Sequence, residues 1–216
     1  MQTLSEHITE RGAKFLTSEA ILKKLPQDVQ TAMTEGTKEI VMADFYIRKK
    51  IAGFSGIVDL IKMTDQKDVG VTNLDKAYIP KGTFFALCAV GMAYAYDAQS
   101  GNAAINTPGA FRYSNSEYFT TIPTKLINSE FHLLNGNKVL FRGVRTKKFF
   151  ANAYAEYGIE ANDENIVILP QPKLIDHEKQ VVAQLEFASS DTLTAPSNSH
   201  YIEIRLVGVY IIDRAS

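Results

Sequence analysis

Residues 83–96 read TFFALCAVGMAYAY, a run without a charged or amide side chain. It is apolar on both faces of a period-two pattern. It is shorter than the roughly 20 residues that a membrane-spanning helix needs. Such a run predicts a central β-strand, Thr83 to Tyr96, buried from both sides.

Working outward, the flanking segments keep a strand character. Glu39 to Lys49 (EIVMADFYIRK) and Gly56 to Met63 (GIVDLIKM) precede it, and Tyr118 to Ile122 follows as a weak strand. Glu130 to Leu134 and Lys138 to Arg142 flank Asn135-Gly136-Asn137. Asn-Gly between apolar runs is a strong hairpin signal, because both residues tolerate positive φ. Thr146 to Tyr157 reads as a short helix, and Asn165 to Leu169 and Gln180 to Ala188 as strands. In the last strand, Tyr201 to Asp213, Ile202, Ile204 and Leu206 alternate with Glu203 and Arg205, which predicts one core face and one wet face.

Eight or nine strands with turn signals between most of them, and no regular strand–helix alternation, argue against a parallel α/β sheet. They predict a mainly β protein: an antiparallel β-sandwich, and with eight strands a single jelly roll, over residues 37–216. Residues 1–36 differ. Leu4, Ile8, Phe15 and Leu22 recur at helical spacing, with Ile21 and Leu25 beside them. They predict two helices over 5–35, with Ser5 as N-cap, a turn near Leu25-Pro26 and Gly36 as terminator. This N-terminal helical arm must bury its stripe on its own sandwich or on a neighbouring subunit.

Composition narrows the function. The 216 residues carry 23 Lys+Arg against 24 Asp+Glu, with one Cys and no Trp. Cys88 has no partner for an internal disulfide. The near-zero net charge supplies no global attraction to nucleic acid. No apolar signal-peptide core opens MQTLSEHITERGAKFL, and no run is long enough for a membrane span. These features predict folding in a cytoplasm.

Catalytic patterns are missing. His7, His132, His177 and His200 show neither the i,i+2 nor the i,i+4 spacing of strand or helix metal sites. Gly53-Phe-Ser-Gly56 has the wrong spacing for a nucleophile elbow, and no phosphate-binding loop or dinucleotide fingerprint occurs. Asp65, Asp68, Asn73 and Asp75, and Asp97, Gln99 and Asn102, do not match a calcium loop and read as solvated turns. The expectation is a protein with no catalytic residue, metal or cofactor.

One charge asymmetry stands out. Lys138, Arg142, Arg145, Lys147 and Lys148 fall in a stretch without acids. Glu156, Glu160, Asp163 and Glu164 then fall in a stretch without bases. The first reads as a basic patch at a subunit interface or facing nucleic acid non-specifically. Phe149, Phe150 and Tyr154 beside it read as interface aromatics. The alternative is two solvated surface stretches.

Four segments carry a family resemblance: DVGVTNLDKAYIPKGTFFALCAVGMAYAY, FHLLNGNKVLFRGVRTKKFF, NIVILPQPKLI and YIEIRLVGVYIIDR. Over roughly residues 68–213, the chain resembles jelly-roll virion structural proteins of bacteriophages. The shared features are the IPKG leading into an apolar strand, the Asn-Gly hairpin, the Pro-containing start of a late strand and a Gly in the terminal strand. The resemblance implies a capsid or capsid-associated protein. It would work without catalysis in many copies, partnered by itself and by other virion proteins, and assemble in the host cytoplasm. The chain has room for one roll, which fits a single-roll coat, a minor capsid component, or a decoration or vertex protein. The competing expectation is a receptor- or carbohydrate-binding β-sandwich module.

Overall fold

The computed structural model describes residues 3–51, 55–97, 122–150, 166–188 and 199–213. Eight strands form two antiparallel four-stranded sheets. They are β1 (Lys38–Lys50), β2 (Ile57–Asp59), β3 (Phe85–Asp97), β4 (Glu130–Asn135), β5 (Lys138–Arg145), β6 (Ile166–Ile175), β7 (Val181–Glu186) and β8 (Ser199–Asp213). The first sheet has the order β1-β8-β3-β6 and the second β2-β7-β4-β5. The chain is folded in half at the β4–β5 turn: β4 pairs with β5, β3 with β6, β2 with β7 and β1 with β8.

Between the sheets lies one apolar core. Phe45, Phe85, Leu87 and Met92 of the first sheet share it with Val58, Phe131, Leu133 and Leu185 of the second. Phe85 meets Phe45 edge-on at 4.9 Å between ring centres. The fold is thus a two-layer β-sandwich-like body, as the strand pattern predicts.

The outer face of the first sheet is covered by α1 (Leu4–Leu16), α2 (Glu19–Leu22) and α3 (Gln27–Thr34). Leu4 and Ile8 pack on Cys88, Ala89, Ile166 and Val207, and Leu16, Ile21, Leu25 and Val29 on Ala86, Val209 and Ile211. Burying each such side chain contributes about 1.5–3 kcal/mol, so the helices close over their own sheet. Helix α1 starts at Thr3 rather than Ser5. The Thr3 hydroxyl accepts from the Glu6 N–H and the Glu6 carboxylate from the Thr3 N–H, a reciprocal capping box. The expected first helix is split at Thr17-Ser18, whose hydroxyls donate back to the Ala13 and Phe15 carbonyls and end α1.

Gly12 sets the distance between helix and sheet. A Cβ there would stand 2.4 Å from Val209 Cγ2 and 3.1 Å from Cys88 Sγ. Gly12→Ala in an open helix would gain roughly 1 kcal/mol of propensity. Here the stiff, β-branched Val209 has little room to move, so we expect a net loss of about 1–2 kcal/mol. A thermal melt reads this directly, and a rise in Tm would refute the close approach.

Several strands depart from the sequence expectation. Strand β3 carries a bulge at Cys88, where Leu87 pairs with Gly208 and Ala89 with Val207. The extra residue shifts the phase: Phe85 and Leu87 point into the core, but so do Val90, Met92 and Tyr94. Strand β2 stops at Asp59; the Leu60 N–H still donates to the Ala183 carbonyl at 2.8 Å, and Leu60 and Ile61 enter the core. Strand β6 runs on to Ile175 through Pro170 and Pro172, which an edge strand tolerates. Its register jumps from Ile168 to Lys173, and Arg11 Nη2 donates to the Leu169 and Pro170 carbonyls at 2.7 and 2.8 Å. The predicted wet face of β8 is not wet. Glu203 is buried against Arg48 at 2.5 Å and Arg205 pairs with Asp44 at 3.0 Å, because β8 lies inside the sheet with charged partners opposite.

The other edge, β1, is shielded by the 68–74 segment. Asn73 accepts from the Tyr46 N–H and donates to the Asp44 carbonyl, and Thr72 Oγ1 donates to the Tyr46 carbonyl. This blunts an edge open to pairing. Asp65 caps the Lys62 N–H and faces Lys49 at 3.6 Å, so these acidic loop residues act in turns. Gln99, Asn102 and the 118–121 part of the weak strand lie outside the described residues.

Candidate functional site

A groove of about 710 Å³ lies where the helices, the β4–β5 turn and the β6–β7 turn meet. Its framework begins with the hairpin. Strands β4 and β5 pair Asn135 with Lys138, so the two turn residues are Gly136 and Asn137. Only Gly136 takes positive φ, at +57°, the pattern of a II′ turn rather than the I′ turn of an Asn-Gly centre. Asn135 is thereby freed for another role. It is buried; its amide donates to the Asp176 and Lys179 carbonyls, both at 3.0 Å, and its Oδ1 accepts from the Asp176 N–H at 2.8 Å. The Gly136 N–H donates to the Gln180 carbonyl at 2.7 Å. One side chain so ties the tip of the folded chain to the β6–β7 turn.

This clamp places four lysines around the groove: Lys24 after α2, Lys138 at the start of β5, Lys173 on β6 and Lys179 in the turn. The floor is apolar, with Phe15, Ile21, Phe84 and Leu174. Lys138 Nζ donates to the Leu174 carbonyl at 3.0 Å. Burial first, then the charges of Lys173, Lys24 and Lys179, push the Lys138 ammonium below the usual lysine range, with Asp176 opposing. Asp176 is 3.0 Å from Lys179. Burial works against its ionisation, but bonds from the Glu178 N–H and Lys179, with the Lys179 and His177 charges, outweigh it and hold the carboxyl below its ordinary value. No carboxylate pairs with Lys24 or Lys173 among the described residues. Chemically, the groove combines an apolar floor with a rim of four lysines, Asp176, His177 and Glu178.

The basic stretch read from the sequence does not form one patch. Lys138 and Arg145 stand at opposite ends of β5, roughly 23 Å apart at about 3.3 Å per residue. Arg142 lies on the outer face of the second sheet, beside a depression of about 330 Å³ with exposed Ile57 and Val139. Arg145 faces Glu130 across the ladder. Lys147 and Lys148 are exposed on the one-turn helix α5 (Lys147–Phe150). Phe149 and Phe150 sit in the core of their own chain, not on its surface, with Phe149 edge-on to Phe131 at 5.5 Å. The turn of α5 points both rings inward while the lysines stay wet. Tyr154 lies outside the described residues.

Glu130, His132 and Glu186 bring potential ligand atoms within 4.8 Å of one another on the outer face of the second sheet. His132 Nδ1 accepts from the Gly143 N–H at 3.2 Å, which leaves the ring proton on Nε2. Nε2 is 3.1 Å from Glu186 Oε2 but off the line of a good hydrogen bond. A metal at Nε2 would require the other tautomer and would set two N–H groups against each other. The cluster therefore reads as a neutral histidine beside two carboxylates rather than as a metal site. Cys88 is buried, and desolvation raises its thiol to about 11, so it is poorly suited to nucleophilic work.

Comparison with protein-family models, curated proteins and solved structures returns no match. Among the described residues no helix is long and apolar enough to cross a membrane.

Proposed function

We propose that this chain is a non-enzymatic virion structural protein, a single jelly roll that self-assembles as a capsid or capsid-associated subunit in the host cytoplasm. The observation that carries the reading is the nested pairing of first strand with last, in the orders β1-β8-β3-β6 and β2-β7-β4-β5. A long hairpin rolled into two sheets has that connectivity, and virus coats use such rolls widely. The four segments with the bacteriophage resemblance fall on β3, β4–β5, β6 and β8, three strands of the first sheet and the hairpin of the second. On the outer face of the second sheet, which no other described residue covers at Ile57 and Val139, exposed apolar surface is offered for contacts between copies. A carbohydrate-binding module is less well supported: among the described residues the only large aromatic exposed is Tyr96, so a sugar-stacking platform is missing.

Light scattering coupled to size-exclusion chromatography tests the proposal. Closed oligomers or shells are expected from the purified chain near neutral pH. A monomer at every concentration, with or without co-expressed virion components, would refute it.

A further inference from the structure

We infer that the lysine groove receives the acidic segment of a second copy, with Glu156, Glu160, Asp163 and Glu164 meeting Lys24, Lys138, Lys173 and Lys179. The contact rests on the self-assembly reading and specifies its geometry.

The first argument is charge. Four lysines outnumber the two carboxylates, Asp176 and Glu178, that line the cleft with them, and Lys24 and Lys173 have no acidic partner among the described residues. Burial first, and then the charges of the other three lysines, lower the Lys138 ammonium below its usual range. An anionic occupant relieves the repulsion among the lysines. The chain's own acid-rich, base-free stretch carries four carboxylates at positions 156–164, interspersed with Tyr157 and Ile159, which suit the apolar floor.

The second argument is reach. The acidic stretch leaves Phe150 and rejoins the fold at Ile166, and Ile166 begins β6 at the end of the sandwich away from the groove. Lys173 and Lys179 lie at and beyond the far end of the same strand. An extended chain spans at most about 3.4 Å per residue. Glu160, six residues from Ile166, thus reaches roughly 20 Å from that anchor, and Glu164 roughly 7 Å. The four acids cannot enter their own groove together, whereas a neighbour can supply them. The groove lies at one end of the body and Ile166, an anchor of the acidic stretch, at the other, so the contact is head-to-tail. It closes into rings or propagates into a shell rather than forming a two-fold dimer.

The probe is a fluorescent peptide of residues 154–165 (YAEYGIEANDEN), titrated into the full chain and read by anisotropy. Assembly of the same samples is followed by light scattering. We expect Lys138→Glu/Lys173→Glu to weaken peptide binding at least about tenfold, with a melting profile that shows the variant folded. A peptide with its four acids changed to Gln and Asn should bind as weakly to the wild-type chain. Mixing Lys138→Glu/Lys173→Glu with Glu160→Lys/Glu164→Lys should restore assembly that each variant lacks alone. If the wild type assembles but neither peptide affinity nor assembly responds to these changes, this contact is refuted while the self-assembly reading stands. If a 20-nucleotide single strand binds the groove more tightly than the peptide, nucleic acid is the occupant and the inference is overturned. If the peptide binds but the chain never assembles, the function reading fails instead.

Discussion

Gly208→Ala is expected to destabilise the protein by at least about 3 kcal/mol, at or above the upper end of ordinary overpacking. A Cβ at position 208 would stand 2.0 Å from the Ala86 carbonyl oxygen and 2.9 Å from its carbon. These are backbone atoms of the neighbouring strand and cannot rotate away. They come this close because β3 bulges at Cys88 directly beside Gly208. Relief would separate β3 from β8, the inner pair of the first sheet. For a chain of this size the loss corresponds to roughly 6–12 °C in Tm. A melt within about 2 °C of the wild type would show that the strands are not so closely spaced. Ala86→Gly should not rescue the variant, since the obstruction is the carbonyl and not the side chain.

Asn135→Ala should have the second-largest effect, about 3 kcal/mol. The substitution removes three hydrogen bonds and leaves the Asp176 N–H and two carbonyls to find other partners in a buried corner. Each unsatisfied group costs about 1–3 kcal/mol, partly offset where water reaches the turn. Asn135→Asp should be nearly as harmful, because a carboxylate can accept from Asp176 but cannot donate to the carbonyls. Hydrogen exchange offers a local readout: amides of the 176–180 turn and of Gly136 should lose protection before the β3 and β8 amides do. Unchanged protection in the turn would mean that Asn135 is not its clamp.

The strand character of β1, β4 and β7 is plain in the sequence, and so is the buried centre of the fold at residues 83–96. The bulge at Cys88 was not. A strand apolar on both faces looks the same in either phase, so Leu87-Cys88-Ala89 carries no mark of the shift. The Asn-Gly pair announced a turn at the right place, but the turn is centred on Gly136-Asn137, which turns Asn135 from a turn residue into a buried clamp. Glu203 and Arg205 read as solvent-facing because their partners, Arg48 and Asp44, lie some 155–161 positions away. Phe149 and Phe150 were assigned by the lysines beside them, whereas the backbone turn decides which way the rings point. The lysine groove was legible only through Lys138. Lys24, Lys173 and Lys179 join it through pairing that no local pattern encodes.

Folding the chain in half also dictates the order in which structure can form. The β4–β5 hairpin is local, but β1 meets β8 with Lys38 opposite Asp213, and β8 is the last of the eight strands to be synthesised. Because β8 lies between β1 and β3, neither strand can gain that neighbour until β8 is made. Such high contact order slows folding, and a strand edge still awaiting its neighbour is a template for strand exchange with another nascent chain. The N-terminal helices, made first, gain their sheet last.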